Sequence, residues 1–206
     1  MHISEGVLAP AVLYGGAVLA CVGIGLGLRK LDYDKLMTVA ILSAAFFVGS
    51  LIHVPIGPAN AHLILNGLLG LLLGWAAFPS ICVALILQAV LFQFGGLTVL
   101  GVNTLNMALP AVLAACICRP LIARGGKARM LGAFLCGALS VAGAGLCTAL
   151  ALALTDEGFM QAAQLLLLAH LPVMLVEGGI TLLTVGFLAK VKPELLQNAL
   201  GGKECV

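Results

Sequence analysis

Long apolar runs occupy most of this 206-residue chain, and charged side chains interrupt them at only a few short segments. Apolar residues make up 62% of the sequence and charged residues 9%, whereas a soluble domain carries about 45–50% and about 25%. A helix needs about 20 apolar residues to cross a bilayer. The sequence therefore predicts an all-α, polytopic membrane protein whose residues 1–206 form a single membrane-embedded domain.

The apolar runs predict about seven transmembrane helices. Pro79 is expected to separate the third helix from the fourth, and Pro172 leaves the start of the seventh open. The segments 53–60 and 93–103 are expected to be loops, because they are polar or contain several helix-breaking residues. The approximate helix bounds are 10–28, 36–52, 61–77, 81–92, 104–122, 130–154 and a last helix that ends near 188.

Basic residues occur in alternate connections between these helices, which indicates the orientation of the chain. The segments 53–60, 93–103 and 155–161 contain no Lys or Arg. Since positively charged connections face the cytoplasm, seven crossings place the N-terminus outside and the C-terminus in the cytoplasm of a bacterial or archaeal membrane. The net charge of +2 is too small to indicate nucleic-acid binding. The three basic clusters are Arg29, Lys30 and Lys35; Arg119, Arg124, Lys127 and Arg129; and Lys190, Lys192 and Lys203.

His2 is the most unusual of the four histidines, because a histidine at position 2 can chelate a metal ion with three nitrogens. These are the ring, its own amide nitrogen and the amine of Met1. The amide must lose its proton, which Ni²⁺ and Cu²⁺ promote readily, and a planar nitrogen set suits these ions better than Zn²⁺. A second histidine would fill the fourth position in the plane. The alternative is a solvated terminal histidine.

The other histidines, His53, His62 and His170, are also expected at or near the outer face. His62 and His53 can be hydrogen-bonded structural residues as readily as ligands. His170 and Glu177 are seven residues apart and so share a helix face, where they form either a structural contact or the acid–base pair of an intramembrane hydrolase. The chain has no zinc-protease, serine-hydrolase or Walker A motif, so it contains no means of powering transport by itself.

Small residues recur four positions apart in the first two predicted helices, a spacing that allows close helix contact in lipid. Such pairs serve either internal packing or the docking of another membrane subunit, and the second use would fit a ligand-free assembly subunit. The pairs are Ala11 and Gly15, Gly16 and Ala20, Gly23 and Gly27, and Ala40 and Ala44.

Several motifs of this chain resemble those of the CbiM/NikM family, the substrate-specific components of energy-coupling-factor importers for cobalt and nickel. The resemblance covers nearly the whole chain, and the motifs follow one another in the family's order. They are Met1-His-Ile-Ser-Glu-Gly6, Val54-Pro-Ile-Gly-Pro-Ala-Asn-Ala-His62-Leu, Asn66-Gly-Leu-Leu-Gly70, Gln88-Ala-Val-Leu-Phe-Gln-Phe-Gly-Gly-Leu-Thr98, Leu100-Gly-Val-Asn103-Thr-Leu-Asn106-Met107, His170-Leu-Pro and Glu177-Gly178.

The resemblance implies a seven-helix component that binds its cargo at the outer face and is not an enzyme. The implied ligands of Ni²⁺, or of Co²⁺, are the Met1 amine, the His2 amide and ring, and His62. No resident cofactor is implied. The implied partners are a transmembrane coupling subunit, two cytoplasmic ATPase subunits and often a small accessory membrane subunit. Ala40 and Ala44 resemble the small-residue pair that faces the coupling subunit.

Three further residues, His53, Asn60 and Asn103, are candidates to lie beside the ligands. Nickel is favoured over cobalt, because a low-spin d⁸ ion gains most from a planar nitrogen set. Within transport, an importer of an organic vitamin is the alternative, but it would need an aromatic-lined pocket and aromatic residues make up only 5% of the chain.

Overall fold

The computed structural model describes residues 2–56 and 59–201, and for residue 35 and the segments 53–56 and 59–62 it describes the backbone alone. Five helical segments are long and apolar enough to cross a membrane, and the predicted all-α polytopic fold is confirmed. Over the described residues, the helices are α1 Pro10–Arg29, α2 Leu36–Gly49, α3 Asn66–Leu73, α4 Ala77–Phe92, α5 Leu100–Ala123, α6 Gly126–Ala153, α7 Met160–Val191 and α8 Pro193–Gly201. The strands are β1 His53–Ile56 and β2 Ala59–His62.

Helices α1 to α7 alternate in direction, which gives the bundle two chemically different ends. The end that holds the starts of α1, α5 and α7 is called here the N-terminal end, and there the amide of Ala9 donates to Thr155 Oγ1 at 3.3 Å. At the opposite end, a small cavity is lined by residues from the end of α1, the start of α2 and the end of α3, including Lys30, Val39 and Leu73. The connections at this second end contain the basic residues, so we call it the basic end.

Helix α3 is a short core helix, which corrects the predicted third helix at 61–77. It spans eight residues, about 12 Å, and seven of them are buried. Gly74 follows with φ 55° and ψ −130°, a conformation that glycine adopts readily, and the chain reverses there into α4. The helix break therefore lies at Gly74 and not at Pro79, which the first turn of α4 accommodates because its amide has no helical partner there.

Glycines allow α1 to pack closely against the rest of the bundle. A Cβ on Gly23 would lie 2.3 Å from the Phe78 ring, and one on Gly27 would lie 2.4 Å from the Trp75 carbonyl oxygen. A Cβ on Gly16 would lie 2.6 Å from Val102 Cγ2. These small residues therefore serve internal packing, whereas Ala40 and Ala44 on α2 are exposed.

The segment predicted as an outer loop at 53–60 contains an antiparallel hairpin. Its register pairs His53 with His62 and Ile56 with Ala59. The Leu63 amide donates to the Ile52 carbonyl at 3.4 Å, which closes the open end of the hairpin. Pro172 lies inside a continuous α7, and α8 follows that helix without having been predicted.

Candidate metal centre

The start of the chain is folded into the N-terminal end of the bundle. The His2 side chain is only 4% exposed, although it lies one residue from the first residue of the sequence. Its ring stacks on Phe94, with centroids 6.3 Å apart and planes inclined by 19°. Stacking on Phe94 places the imidazole inside the protein rather than in solvent, as a buried metal ligand requires.

Ile3 fastens this segment to α5 through a pair of hydrogen bonds with one side chain. Asn103 Oδ1 accepts from the Ile3 amide at 3.0 Å, and Asn103 Nδ2 donates to the Ile3 carbonyl at 3.1 Å. The Ile3 side chain is 1% exposed and packs with Leu8, Val99 and Leu152. Both backbone polar groups of the residue after His2 are therefore paired inside the protein, which a buried chain segment requires.

Glu5 forms the second attachment of the segment, to the connection between α4 and α5. Its amide donates to the Gly95 carbonyl at 3.2 Å, and its Oε1 accepts from the Thr98 amide at 3.0 Å and from the Thr98 hydroxyl at 3.2 Å. These bonds from Thr98 hold the pKa of the Glu5 carboxyl below its ordinary value. Gly96 has φ 137°, which L side chains rarely adopt, and a Cβ there would lie 2.0 Å from Glu5 Cγ, so a larger residue would strain the backbone and displace Glu5.

Aromatic rings continue from His2 across the N-terminal end. Phe94 and Phe92 have centroids 5.8 Å apart, and Phe92 and Phe47 are also 5.8 Å apart. Next to them, Nε2 of the buried Gln88 donates a hydrogen bond to Oγ of the buried Ser50. This row connects the His2 ring to the ends of α4 and α2, and the hairpin begins three residues after Ser50.

Only part of the predicted ligand set falls within the described structure. Met1 lies outside the described residues, and His62, His53 and Asn60 are described by their backbone alone. Among the side chains that the structure describes, no three His, Cys, Asp or Glu residues are grouped as metal ligands. The ligand set of Met1, His2 and His62 stays a prediction, and the structure brings Asn103 against the residue that follows His2.

His170 and Glu177 are both buried on α7, and each contacts backbone. His170 Nδ1 lies 2.5 Å from the carbonyl oxygen of Leu166, one turn earlier in the same helix. Glu177 Oε1 accepts from the amides of Ile64 and Leu65, the latter at 2.7 Å. Exposed fractions of 1% for His170 and 0% for Glu177 favour structural contacts over the acid–base pair of a hydrolase.

Comparison with known proteins identifies the group to which this fold belongs. Residues 2–195 match the family model described as CbiM, cobalt uptake substrate-specific transmembrane region. The chain belongs to the CbiM family.

Relatives and a solved structure agree with this assignment. A candidate metal transport protein of Haemophilus influenzae is 44% identical over 203 residues, covering 96% of this chain and 98% of its own. The fused nickel transport protein NikMN of Rhodobacter capsulatus is 40% identical over 134 residues, 61% of this chain and 38% of its own. A crystal structure of a transition metal transporter superposes with a TM-score of 0.83 at 32% identity, covering 96% of this chain and 97% of that one.

Membership of the CbiM family makes this chain a cobalt or nickel transport component with several membrane-spanning helices. The names of its relatives are consistent with a transporter component rather than an enzyme. Sequence reasoning missed the roles of Ile3 and Phe94, because an isoleucine and a phenylalanine in an apolar chain carry no signal of their own. Glu5 carried a weak signal, since it is an isolated acid in a largely uncharged first segment.

Proposed function

We propose that this chain is the substrate-binding membrane subunit of an ATP-driven energy-coupling-factor importer, in a bacterial or archaeal cytoplasmic membrane. It captures Ni²⁺, with Co²⁺ as the second candidate, at the N-terminal end of the bundle, which faces outward. The ion is bound by the Met1 amine, the amide and ring of His2, and the ring of His62. The proposal takes Met1 as the residue that carries the free amine.

The observation that carries this proposal is the burial of His2 together with the pairing of Ile3 by Asn103. The first residues of a chain are usually poorly ordered unless they are attached to the rest of the protein. Here Asn103 holds the segment at Ile3, and Thr98 holds it at Glu5. Such attachments hold the chelating segment in place before the ion arrives, which lowers the entropy lost on binding.

Binding must displace protons, since a chelating amine, amide and imidazole all bind metal in their deprotonated forms. Nickel affinity is therefore expected to fall as the pH drops through the range in which histidine and the terminal amine titrate. A low-spin d⁸ ion gains most from four nitrogens in a plane, which is why nickel is the preferred cargo.

Energy for release would come from partner subunits, because the chain contains no Walker A motif. The partners proposed are a transmembrane coupling subunit, two cytoplasmic ATPase subunits and, in some assemblies, a small accessory membrane subunit. Ala40 and Ala44 are exposed on α2 and so are free to meet the coupling subunit through close helix contact.

Extension of the chain start tests the proposed site. Two alanines inserted between Met1 and His2 move the amine away from the chelate, so nickel binding measured by isothermal titration on purified protein is expected to be lost. A single alanine is avoided, because a histidine in third position would let the chain start supply four nitrogens to Ni²⁺ without His62. The matched control carries two alanines after Gly201, at the far end of α8, and is expected to bind like the wild type. Undiminished affinity in the variant extended at the N-terminus would refute the site.

A further inference from the structure

Glu177 connects the middle of α7 to the chain that follows the hairpin. Its Oε1 accepts from the amides of Ile64 and Leu65, although these residues precede it by 113 and 112 positions in the sequence. Glu177 is fully buried. A buried carboxyl group is unfavourable unless it is hydrogen-bonded, so the two amide donors on Oε1 are a substantial and specific interaction.

The two amides belong to a segment whose backbone conformation needs outside support. Leu65 has φ 54° and ψ 15°, in the left-handed region that residues with a Cβ rarely adopt. Such conformations persist where the surroundings determine them, and they concentrate at functional sites. Glu177 supplies part of that support by holding the amide of Leu65 itself.

The next residue is held as firmly, by the two other helices of the core. Asn66 Nδ2 donates to the Met107 carbonyl on α5 at 3.1 Å and to the Ser140 carbonyl on α6 at 3.4 Å. Helix α3 begins at this residue. Three successive residues, Ile64 to Asn66, are thus attached to α7, α5 and α6, and the last residue of β2, His62, lies two positions before them.

We infer that Glu177 is a positioning residue for the metal ligand His62, an inference that rests on the proposed function. By holding the amides of Ile64 and Leu65, it determines where the end of β2 lies relative to the bundle. A planar nitrogen site tolerates little displacement of its fourth ligand, and groups that orient metal ligands commonly change metal affinity by 10–100-fold when removed. Glu177 contributes no ligand atom in this role.

The test compares two Glu177 variants with a control on the same face of α7. Thr181 lies one turn further along, is also fully buried, and faces Gly137 of α6. Thr181→Val therefore perturbs the α6–α7 contact while leaving the two amides bonded. Nickel affinity by titration, the absorption spectrum of bound nickel and the unfolding temperature without metal are measured for the wild type, Glu177→Leu, Glu177→Gln and Thr181→Val.

Glu177→Leu removes the acceptor and is expected to weaken nickel binding by at least about tenfold. Its nickel spectrum is expected to shift toward that of His62→Ala, because the fourth nitrogen is displaced. Glu177→Gln keeps an acceptor oxygen but replaces the second carboxyl oxygen by an NH₂ group in a fully buried site, so a weakening of about threefold or more is expected. This variant decides the question if Glu177→Leu does not fold. Thr181→Val is expected to bind nickel with an affinity within about twofold of the wild type and to show the wild-type spectrum.

Wild-type affinity and an unchanged spectrum in the Glu177 variants would overturn this inference and leave the proposed function standing. Equal losses in Glu177→Gln and Thr181→Val, with unchanged spectra, would overturn it too, since a purely structural role predicts them. Full nickel binding by His62→Ala would instead overturn the proposed site, and the inference with it.

Discussion

Asn103 pairs with both backbone polar groups of Ile3, a residue 100 positions earlier in the chain. Its amide oxygen accepts from the Ile3 amide at 3.0 Å, and its amide nitrogen donates to the Ile3 carbonyl at 3.1 Å. The side chain therefore acts as a strand partner for a single residue. It holds the backbone immediately after His2, so the position of the proposed chelate depends on α5.

Replacing Asn103 by leucine is expected to weaken nickel binding and to destabilise the protein. Both Ile3 groups would stay buried without partners, at a cost of about 1–3 kcal/mol for each unsatisfied group. Titration and thermal unfolding would measure the two effects. Asn106→Leu is the control, because Asn106 lies one turn further along α5 and bonds Thr148 rather than the terminal segment. Equal nickel affinity in the wild type and Asn103→Leu would contradict this role.

The attachment of Glu5 to Thr98 is expected to depend on pH at the acid end of the scale. Because the folded-state pKa of Glu5 lies below its ordinary value of 4.5, ionised Glu5 stabilises the fold above pH 4.5. That stabilisation is lost as the pH falls through the lowered folded-state value. Unfolding temperatures of the wild type and Glu5→Gln should therefore differ at neutral pH and converge in acid.

Glu157→Gln is the control for that series, since it removes an exposed acid at the same end of the bundle. The difference in unfolding temperature between the wild type and Glu5→Gln should not persist unchanged to pH 3, and Glu157→Gln should not reproduce it. Either result would exclude the bonds to Thr98 as the source of the difference.

Gly27 is expected to tolerate no larger residue. A Cβ there would lie 2.4 Å from the Trp75 carbonyl oxygen and 2.6 Å from Pro79 Cδ, so Gly27→Ala should lower stability by about 1–3 kcal/mol. Gly25→Ala is the matched control in α1, because a Cβ at Gly25 meets no atom within 4 Å. Thermal unfolding in detergent compares them, and similar melting of both variants would show that α1 is not packed as described.

The orientation of the bundle is open to a direct test with reporter fusions. The basic end should face the cytoplasm and the N-terminal end should face outward. Alkaline phosphatase fused after Asp156, between α6 and α7, should be active because it folds outside the cell. The same enzyme fused after Gly125, between α5 and α6, should be inactive, and the reverse pattern would invert the proposed direction of capture.

The sequence alone determined the class of the protein and, to within four residues, the bounds of α1, α2, α4, α5 and α6. Apolar runs and basic connections are local properties, so they predict membrane helices and their alternation without knowledge of any contact. The start of α1 at Pro10, for example, needs only the residues around it. The motifs around His2, His62 and Asn103 likewise identified the CbiM family, since motif order does not depend on packing.

Only the tertiary structure decided how those parts meet. The break after α3 lies at Gly74 rather than Pro79, because a reversal needs a positive φ whereas the first turn of a helix accepts proline. The bonds of Asn103 to Ile3 and of Glu177 to Ile64 and Leu65 each join residues 100 or more positions apart. Local periodicity cannot specify such contacts, because they depend on which faces of α5 and α7 the whole bundle turns inward.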